Sequence, residues 1–249
     1  MTAPDALAQA LLAARRDARP IPAGAIPEPR DEAEAYAAQA LTIAALGPVG
    51  GWKTGRRAPD APMTMAPIPA AMVRETPATF AAAESRLRGV ELEIAFRLDA
   101  DPPRPDAPDF AAALRRVVSV MPAIEVIDSR LAEGAGAAPL LKLADLQINA
   151  GLVVGAPARE RGGLPLDRCT LRWEIAGDVA MAGPAETPGG DAFDTLCAFA
   201  RRVGAHCGGL RKGQIVTTGS LTGMIWAPPG ARVAGSIDGL GEVAVRFAP

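Results

Sequence analysis

Hydrophobic residues recur along the chain at two different spacings, and the change of spacing separates helices from strands. Leu7, Leu11 and Leu12 follow a helical period within residues 3–18, which predicts a first helix that ends before Pro20. From Gly89 onward the dominant period is two, which is typical of strands. The pattern therefore predicts helices near the N-terminus and mainly strands after them.

A second helix is predicted to begin at Asp31. Glu34 follows three positions later, as in a capping box, and Tyr36 and Ile43 lie on one face of the predicted helix. Gly47 and Pro48 end it. From residue 50 to about 72 the chain is rich in glycine and proline and lacks a helical period, so we expect short strands and loops there.

The segment 89–98, GVELEIAFRL, has the clearest strand pattern. Leu92, Ile94 and Phe96 alternate with polar residues, so Glu91 and Glu93 share the opposite face of the strand. After a proline-rich loop, the pattern predicts a short helix from Phe110 to about Val118. The further predicted elements are strands at 122–130 and 147–157, a hairpin over 169–183, a helix over 191–204 and a C-terminal series of short strands.

This order of elements favours an α+β fold over a doubly wound parallel sheet. We expect a helical and loop segment over residues 1–70, followed by a β-rich domain over residues 71–249.

Charge and composition exclude several classes of protein. The chain has 28 acidic and 26 basic residues without a basic block, so we expect no nucleic-acid partner. No apolar run reaches the roughly 18 to 20 residues needed to span a bilayer, and the first residues lack the pattern of a signal peptide, so we expect no membrane partner and a cytoplasmic location. Three cysteines without a CxxC motif suit reduced thiols.

Glu91 and Glu93 are the first candidates for chemistry. Residues two apart on a strand point the same way with Cα atoms roughly 6.5 Å apart, so their carboxylates converge. If they are buried, they require a proton, a basic side chain or a divalent cation between them. Oxygen ligands select Mg²⁺, Mn²⁺ or Ca²⁺. Glu125, inside the apolar strand at 122–130, is the preferred third ligand, and Asp128 is the second choice. The alternative is a solvated strand face on which the two glutamates pair with Arg97 or Arg88.

Several motifs, taken together and in order, resemble the fumarylacetoacetate hydrolase superfamily, and most closely its branch of 2-keto-4-pentenoate hydratases and 4-oxalocrotonate decarboxylases. They are EAYAAQ (34–39), GWKTG (51–55), GVELEIAF (89–96), AIEVIDSR (123–130), LADLQINAGLVVG (143–155), GSLTGM (219–224) and LGEVAVRF (240–247). The resemblance covers nearly the whole chain. It implies a mixed, mainly antiparallel β-roll or sandwich of the type formed by the C-terminal domain of that superfamily.

The resemblance also implies a function. It implies that Glu91, Glu93 and Glu125 hold Mg²⁺ or Mn²⁺ and that a small 2-oxo acid chelates this cation. The 2-oxo acid would be the substrate of a lyase, either a hydratase or a decarboxylase. Lys53 matches the lysine of the motif G[YW]K[VIT]G, near the cation and the substrate. The family is regularly homo-oligomeric, which makes a homo-oligomer the expected state.

Three further polar residues are implied to bind substrate. Ser220 and Thr222 match a turn that contacts the substrate carboxylate, although GSLTG also suits an ordinary tight turn. Asn149 matches a polar donor near the pocket, although it also suits a cap at a strand end. Lys53 has its own alternative as a solvent-facing lysine in a glycine-rich loop.

The chain also departs from the family pattern. The segment 56–73, RRAPDAPMTMAPIPAAMV, has Asp60 as its only acid and lacks the Asp-x-Gly of the family's hydratases. His206 is the single histidine, in a predicted loop, and is interpreted as a plain polar residue, which disfavours hydrolase chemistry. Lys53 or a water molecule on the cation remains as the proton-transfer group. The alternative function is a degenerate, non-catalytic member that binds a ligand or a partner enzyme.

Overall fold

The protein, described here from a computed structural model, is an α+β fold of two β-sheets and five α-helices in the part of the chain that the structure describes, residues 2–158 and 166–249. The helices are α1 (Ala3–Arg16), α2 (Glu32–Leu46), α3 (Phe110–Arg116), α4 (Pro139–Ala144) and α5 (Ala192–Arg202). No helix in this part of the chain is both long and apolar enough to cross a membrane.

The first seven strands are β1 (Val49–Gly55), β2 (Thr64–Pro69), β3 (Val73–Glu75), β4 (Ala78–Phe80), β5 (Gly89–Leu98), β6 (Val118–Ile127) and β7 (Asn149–Val154). The remaining six are β8 (Arg168–Ile175), β9 (Asp178–Glu186), β10 (Ile215–Ser220), β11 (Ile225–Trp226), β12 (Arg232–Ile237) and β13 (Gly241–Phe247).

The larger sheet has eight strands in the order β2-β1-β10-β5-β6-β7-β3, with β11 added to β5, and the smaller has the order β4-β13-β12-β8-β9. Only the pairs β1 with β10, β3 with β7 and β4 with β13 are parallel in the described ranges. The prediction of an α+β fold with a mixed, mainly antiparallel sheet architecture is therefore confirmed.

The main hydrophobic core lies between the two sheets. Leu92, Ile94 and Phe96 of β5 are at most 1% exposed, and they share one cluster with Trp173 and Val233 of the smaller sheet. Burial of side chains of this size stabilises the fold by about 1.5–3 kcal/mol each. The even positions of β5 are thereby fixed toward the second sheet, so its odd positions, with the glutamates, face the other way.

Two features of the N-terminal half differ from the sequence pattern. β1 and β2 form a hairpin that hydrogen-bonds to β10, so the larger sheet crosses the boundary predicted between residues 70 and 71. The capping box predicted for α2 is only half formed, because the Asp31 side chain accepts from the Glu34 backbone while the Glu34 carboxylate accepts from the backbone of Arg30. A complete box joins Thr2 and Asp5 at the start of α1.

The helix predicted from Phe110 to about Val118 ends at Arg116, and β6 begins at Val118, four residues before the predicted strand. The sequence Val117-Val118-Ser119-Val120 explains both differences, because β-branched residues favour strands over the last turn of a helix.

Candidate metal centre

The centre of the candidate site is a pair of glutamates on neighbouring strands. Glu91 of β5 lies directly opposite Glu125 of β6, and Glu93 follows two residues along β5 on the same face. One carboxylate oxygen from each residue lies within 4.8 Å of those of the other two. The structure thus brings together the three acids that the sequence selects.

Burial governs the charge of this cluster. Glu93 is 1% exposed and Glu125 is fully buried, whereas Glu91 is partly buried. Burial, reinforced by the charges of Glu125 and Glu91, raises the pKa of Glu93 well above its ordinary value. Burial also raises the pKa of Glu91, although Lys53 opposes that rise.

The alternative of a solvated strand face for Glu91 and Glu93 is wrong for Glu93, whose side chain is buried, and Glu91 is partly buried. The two arginines proposed as surface partners bind elsewhere. Arg97 forms an ion pair with Asp99, and Arg88 donates to the backbone carbonyls of Arg86 and Ala227.

Lys53 of β1 reaches the glutamates from two strands away. Gly51 pairs with Ile215 of β10, and Ile215 with Arg97 of β5, so Lys53 lies on the face that carries the glutamates. Its Nζ lies 3.0 Å from Glu125 Oε1 and 3.9 Å from Glu91 Oε2. The solvent-facing alternative is wrong, because only 16% of the Lys53 side chain is exposed.

The charges of the cluster make Lys53 a firmly held cation. Burial opposes its charged form, but Glu125, Glu91 and Glu93 together outweigh burial and raise the pKa of the ammonium group. Three ionised carboxylates and one ammonium group would leave a formal charge of −2, which is the charge that a divalent cation neutralises.

Asn149 positions Glu125. Its Nδ2 donates to Glu125 Oε1 over 2.8 Å and also contacts the carbonyl oxygen of Gly151 at 3.3 Å. The three preceding residues, Leu146, Gln147 and Ile148, form a left-handed turn with φ of 51°, 52° and 55°. Such conformations cost non-glycine residues on the order of 1–3 kcal/mol each and persist where the surroundings impose them.

This left-handed turn also supports the lysine. The carbonyl oxygen of Gln147 accepts from Lys53 Nζ over 3.4 Å. The turn therefore directs a backbone acceptor toward Lys53 and, at its end, a side-chain amide toward Glu125. The sequence segment LADLQINAG gives no sign of this turn, because none of the three residues is glycine.

The segment Gly219 to Thr222 covers the other side of the cluster. Gly219 has φ of 113°, which favours glycine, and its N-H donates to Glu93 Oε2 over 2.7 Å. Ser220 lies opposite Glu93 on β10, and its buried hydroxyl has no hydrogen-bond partner among the described residues. The Thr222 hydroxyl instead accepts from the Leu92 backbone and donates to the Gly223 carbonyl, so it does not face the cluster.

Three other sequence candidates lie apart from the glutamates. Asp128 accepts from the backbone N-H groups of Arg86, Leu87 and Ser129 and is not a member of the cluster. His206 lies 3.2 Å from Gln39 Oε1 and packs edge-on against Tyr36. Asp60 is exposed and does not line the cavity described next.

A cavity of about 560 Å³ opens over the cluster. Its polar lining includes Lys53, Glu91, Glu93, Ser220 and Gln147, joined by two arginines of the β1-β2 loop, Arg56 and Arg57. Arg56 is held by Thr195 and by the carbonyl of Pro59, whereas Arg57 is exposed. Sequence reasoning missed both arginines as site residues, because the loop pattern does not show on which side it folds.

The donor set fits a hard divalent cation. All three candidate ligands are carboxylates, and Glu125 Oε2 is buried without a hydrogen-bond partner among the residues that the structure describes. A buried carboxylate oxygen without a donor is unfavourable unless it is protonated or binds a cation. Carboxylate-only sites suit Mg²⁺, Mn²⁺ or Ca²⁺ and disfavour zinc.

Known proteins with similar sequences were found in one bacterium. The chain is 28% identical over 160 residues to 2-keto-4-pentenoate hydratase 1 of Dechloromonas aromatica (strain RCB), and 29% identical over 160 residues to its 2-keto-4-pentenoate hydratase 2. Each match covers 64% of this chain and 60% of the relative's own length. No protein-family model matches the chain.

Solved structures with the same fold extend the similarity over nearly the whole chain. The 4-oxalocrotonate decarboxylase from Pseudomonas putida G7, complexed with magnesium and adipate, superposes with a TM-score of 0.81 at 20% identity and covers 97% of this chain and 96% of its own. Fumarylpyruvate hydrolase from Pseudomonas aeruginosa, in complex with Mn²⁺ and pyruvate, gives a TM-score of 0.54 at 16% identity over 79% of this chain and 88% of its own.

The fold is that of the fumarylacetoacetate hydrolase superfamily. The sequence similarity to the two hydratases and the fold shared with the decarboxylase confirm the resemblance of the sequence motifs to the hydratase and decarboxylase branch.

Proposed function

We propose that the protein is a divalent-metal-dependent lyase, a hydratase or a decarboxylase, that acts on a small 2-oxo acid. The observation that carries the proposal is the buried cluster of Glu91, Glu93 and Glu125 beside Lys53. The hydratases of similar sequence and the magnesium-complexed decarboxylase of similar fold support the same class of reaction. A homo-oligomeric state and a cytoplasmic location remain part of the proposal.

The residues present divide the work between metal binding and substrate binding. Glu91, Glu93 and Glu125 would hold Mg²⁺ or Mn²⁺, which when bound supplies a Lewis acid that stabilises negative charge on the 2-oxo oxygen of the substrate. The hydroxyl of Ser220, on the cavity wall, offers a hydrogen-bond donor for a substrate carboxylate, whereas the backbone N-H of Gly219 holds Glu93. Thr222 is retained only as a support of the Leu92 backbone.

Lys53 is the group placed to move a proton. It lines the cavity, its ammonium group is held by Glu125, and its pKa is raised rather than lowered. In the metal-free cluster Lys53 is therefore held in its protonated form, and it is positioned to donate a proton to the substrate.

One observation favours the second candidate, a non-catalytic member that binds a ligand. The β1-β2 loop contributes Arg56 and Arg57 as polar cavity residues, but no carboxylate or histidine. A general base from that loop is thus missing from the cavity wall. Binding of a 2-oxo acid without turnover would leave Lys53 and the arginines as ligand contacts.

The deciding experiment is a panel of 2-oxo acids and their enols, assayed with metal-stripped protein before and after addition of Mg²⁺ or Mn²⁺. The panel contains 2-hydroxypentadienoate, 4-oxalocrotonate and oxaloacetate. The lyase proposal predicts turnover of at least one compound, only with the cation present. Glu93→Gln should abolish that turnover, whereas Glu242→Gln, at an exposed position of β13, should not.

Metal-dependent binding of these compounds without turnover would support the non-catalytic candidate. Turnover that persists in metal-stripped protein, or in Glu93→Gln, would contradict the proposed site.

A further inference from the structure

A second cavity, of about 330 Å³, is lined by five arginines and lies apart from the glutamate cluster. It is bounded by the end of α1, by the turn at Ala71 and Met72, and by the segment after β6. The arginines are Arg15, Arg19, Arg74, Arg86 and Arg130, and the two acids in the lining are Glu84 and Asp128. It shares no lining residue with the cavity over the glutamates.

Three of the five arginines already have carboxylate partners. Arg130 forms a buried ion pair with Asp145, Arg74 pairs with Glu84, and Arg86 lies 4.0 Å from Asp128. The two acids of the lining also accept hydrogen bonds from backbone N-H groups. Glu84 accepts from Ala81, and Asp128 accepts from Arg86 and Leu87.

Arg15 and Arg19 have no such partner in the described part of the chain. Arg15 is partly buried, and its guanidinium contacts only neutral atoms, namely Met72 Sδ at 3.3 Å and the Asn149 carbonyl oxygen at 3.5 Å. Burial, reinforced by the charge of Arg130 and opposed by those of Asp145 and Asp128, lowers the pKa of Arg15 to about 9. A partly buried guanidinium beside a second one is unfavourable unless an anion neutralises them.

We propose that this cavity binds a small oxyanion of high charge, such as a free phosphate or the phosphate group of a metabolite, with Arg15 and Arg19 as its main ligands. The planar guanidinium group matches phosphate with two parallel hydrogen bonds. The cavity volume is several times the roughly 30 Å³ that one water molecule occupies in the liquid, so the cavity is large enough for a phosphate group.

The site is independent of the proposed lyase activity. Without a cation, the cluster of Glu91, Glu93 and Glu125 has the wrong charge to attract a phosphate. Because Arg56 and Arg57 line the cavity over that cluster, the loss of phosphate binding in variants of Arg15 and Arg19 reports on the arginine cavity, whether or not the protein is an enzyme.

The test is a calorimetric titration of the full chain, stripped of divalent cations on a chelating resin, with inorganic phosphate at an ionic strength held constant with sodium chloride. We expect saturable binding by the unmodified protein and about tenfold weaker binding by Arg15→Gln and by Arg19→Gln, since each loses a charge-assisted contact. Arg16→Gln is the matched control, because Arg16 is the next residue of α1, is exposed and pairs with Asp17. It should bind phosphate within about twofold of the unmodified protein.

The melting temperature of Arg15→Met without phosphate separates binding from folding. If Arg15 serves a ligand, its removal should leave the melting temperature unchanged or raise it, because an unpaired buried charge is lost. A large decrease in the melting temperature, together with unchanged phosphate affinity, would overturn the proposal and make Arg15 a structural residue.

Two other results would also overturn it. One is the absence of saturable phosphate binding to the unmodified protein. The other is that Arg15→Gln loses its oligomers while added phosphate does not dissociate the oligomers of the unmodified protein. The cavity would then receive a carboxylate from a second copy of the chain.

Discussion

The side-chain amide of Asn149 donates a hydrogen bond of 2.8 Å to Oε1 of Glu125, the same oxygen that lies 3.0 Å from Lys53 Nζ. Two donors thus fix one oxygen of this carboxylate, and the other, Oε2, is left without a hydrogen-bond partner. Glu125 is consequently held in one orientation, with a free oxygen beside the carboxylates of Glu91 and Glu93.

This arrangement predicts that Asn149→Leu weakens Mg²⁺ binding by about 10- to 100-fold, which is the usual effect of removing a residue that orients a metal ligand. Isothermal titration of metal-stripped protein measures the affinity. Gln39→Leu is the matched control, because Gln39 is also a fully buried amide, bonded to the carbonyls of Met65 and Leu143. The control should lose stability but keep its Mg²⁺ affinity. Equal Mg²⁺ affinity in Asn149→Leu and the unmodified protein would show that Asn149 does not orient a ligand.

The raised pKa of Glu93 predicts how the stability of the metal-free protein depends on pH. A carboxyl group with a raised folded pKa gives a stability that is complete below its unfolded pKa, near 4.5, and is lost as the pH rises through the folded value. The free energy of unfolding should therefore fall between pH 5 and 8, by at most about 1.4 kcal/mol per pH unit for one proton. Urea unfolding at several pH values measures it.

Glu93→Gln isolates this contribution, because other acids, such as Glu84 with its lowered pKa, act in the opposite direction. The variant should be more stable than the unmodified protein at pH 8, and the difference should vanish near pH 4.5. Saturating Mg²⁺ should stabilise only the unmodified protein. A difference that does not change with pH would contradict a protonated Glu93 in the metal-free fold.

Lys53→Met should separate turnover from metal binding. Lys53 Nζ competes for Glu125 and Glu91, so its removal leaves three carboxylates without a cation and should tighten Mg²⁺ binding or leave it unchanged. The loss of a positioned proton donor should lower kcat by about 10²- to 10⁴-fold. Steady-state kinetics and Mg²⁺ titration of the same preparation measure both quantities. An unchanged kcat would show that Lys53 only balances charge.

The sequence predicted the glutamates of the site because strand alternation is local information. Leu92, Ile94 and Phe96 determine the face of β5 that is buried against the second sheet, so Glu91 and Glu93 are assigned together without knowledge of the rest of the fold. The choice of Glu125 as the third metal ligand required one further observation, namely an acid inside a second apolar strand.

The remaining parts of the site depend on contacts that no local pattern encodes. The register that places Glu91 opposite Glu125 is set by ten successive residue pairs between β5 and β6. The left-handed turn before Asn149 contains no glycine that would indicate it in the sequence. The packing around Leu146 and the hydrogen bonds of its neighbours impose the turn. Thr222 shows the opposite case, since its motif suggested a substrate contact but its hydroxyl, just after the end of β10, accepts from the Leu92 backbone.

Arg57 offers a test of which 2-oxo acid the cavity prefers, provided that the lyase proposal holds. Arg57 lines the cavity and is exposed, and in the described ranges it has no ion-pair partner, whereas Arg56 is tied to Thr195 and Pro59. A substrate with a second carboxylate would place that charge toward the arginines, so Arg57→Gln should lower kcat/KM for 4-oxalocrotonate by about tenfold and change that for 2-hydroxypentadienoate by less than about twofold. Arg116→Gln, which removes an exposed arginine paired with Asp109, controls for net charge. An equal decrease in kcat/KM for both substrates would assign Arg57 to general electrostatic attraction. If the unmodified protein acts on neither substrate, the result counts against the lyase proposal itself.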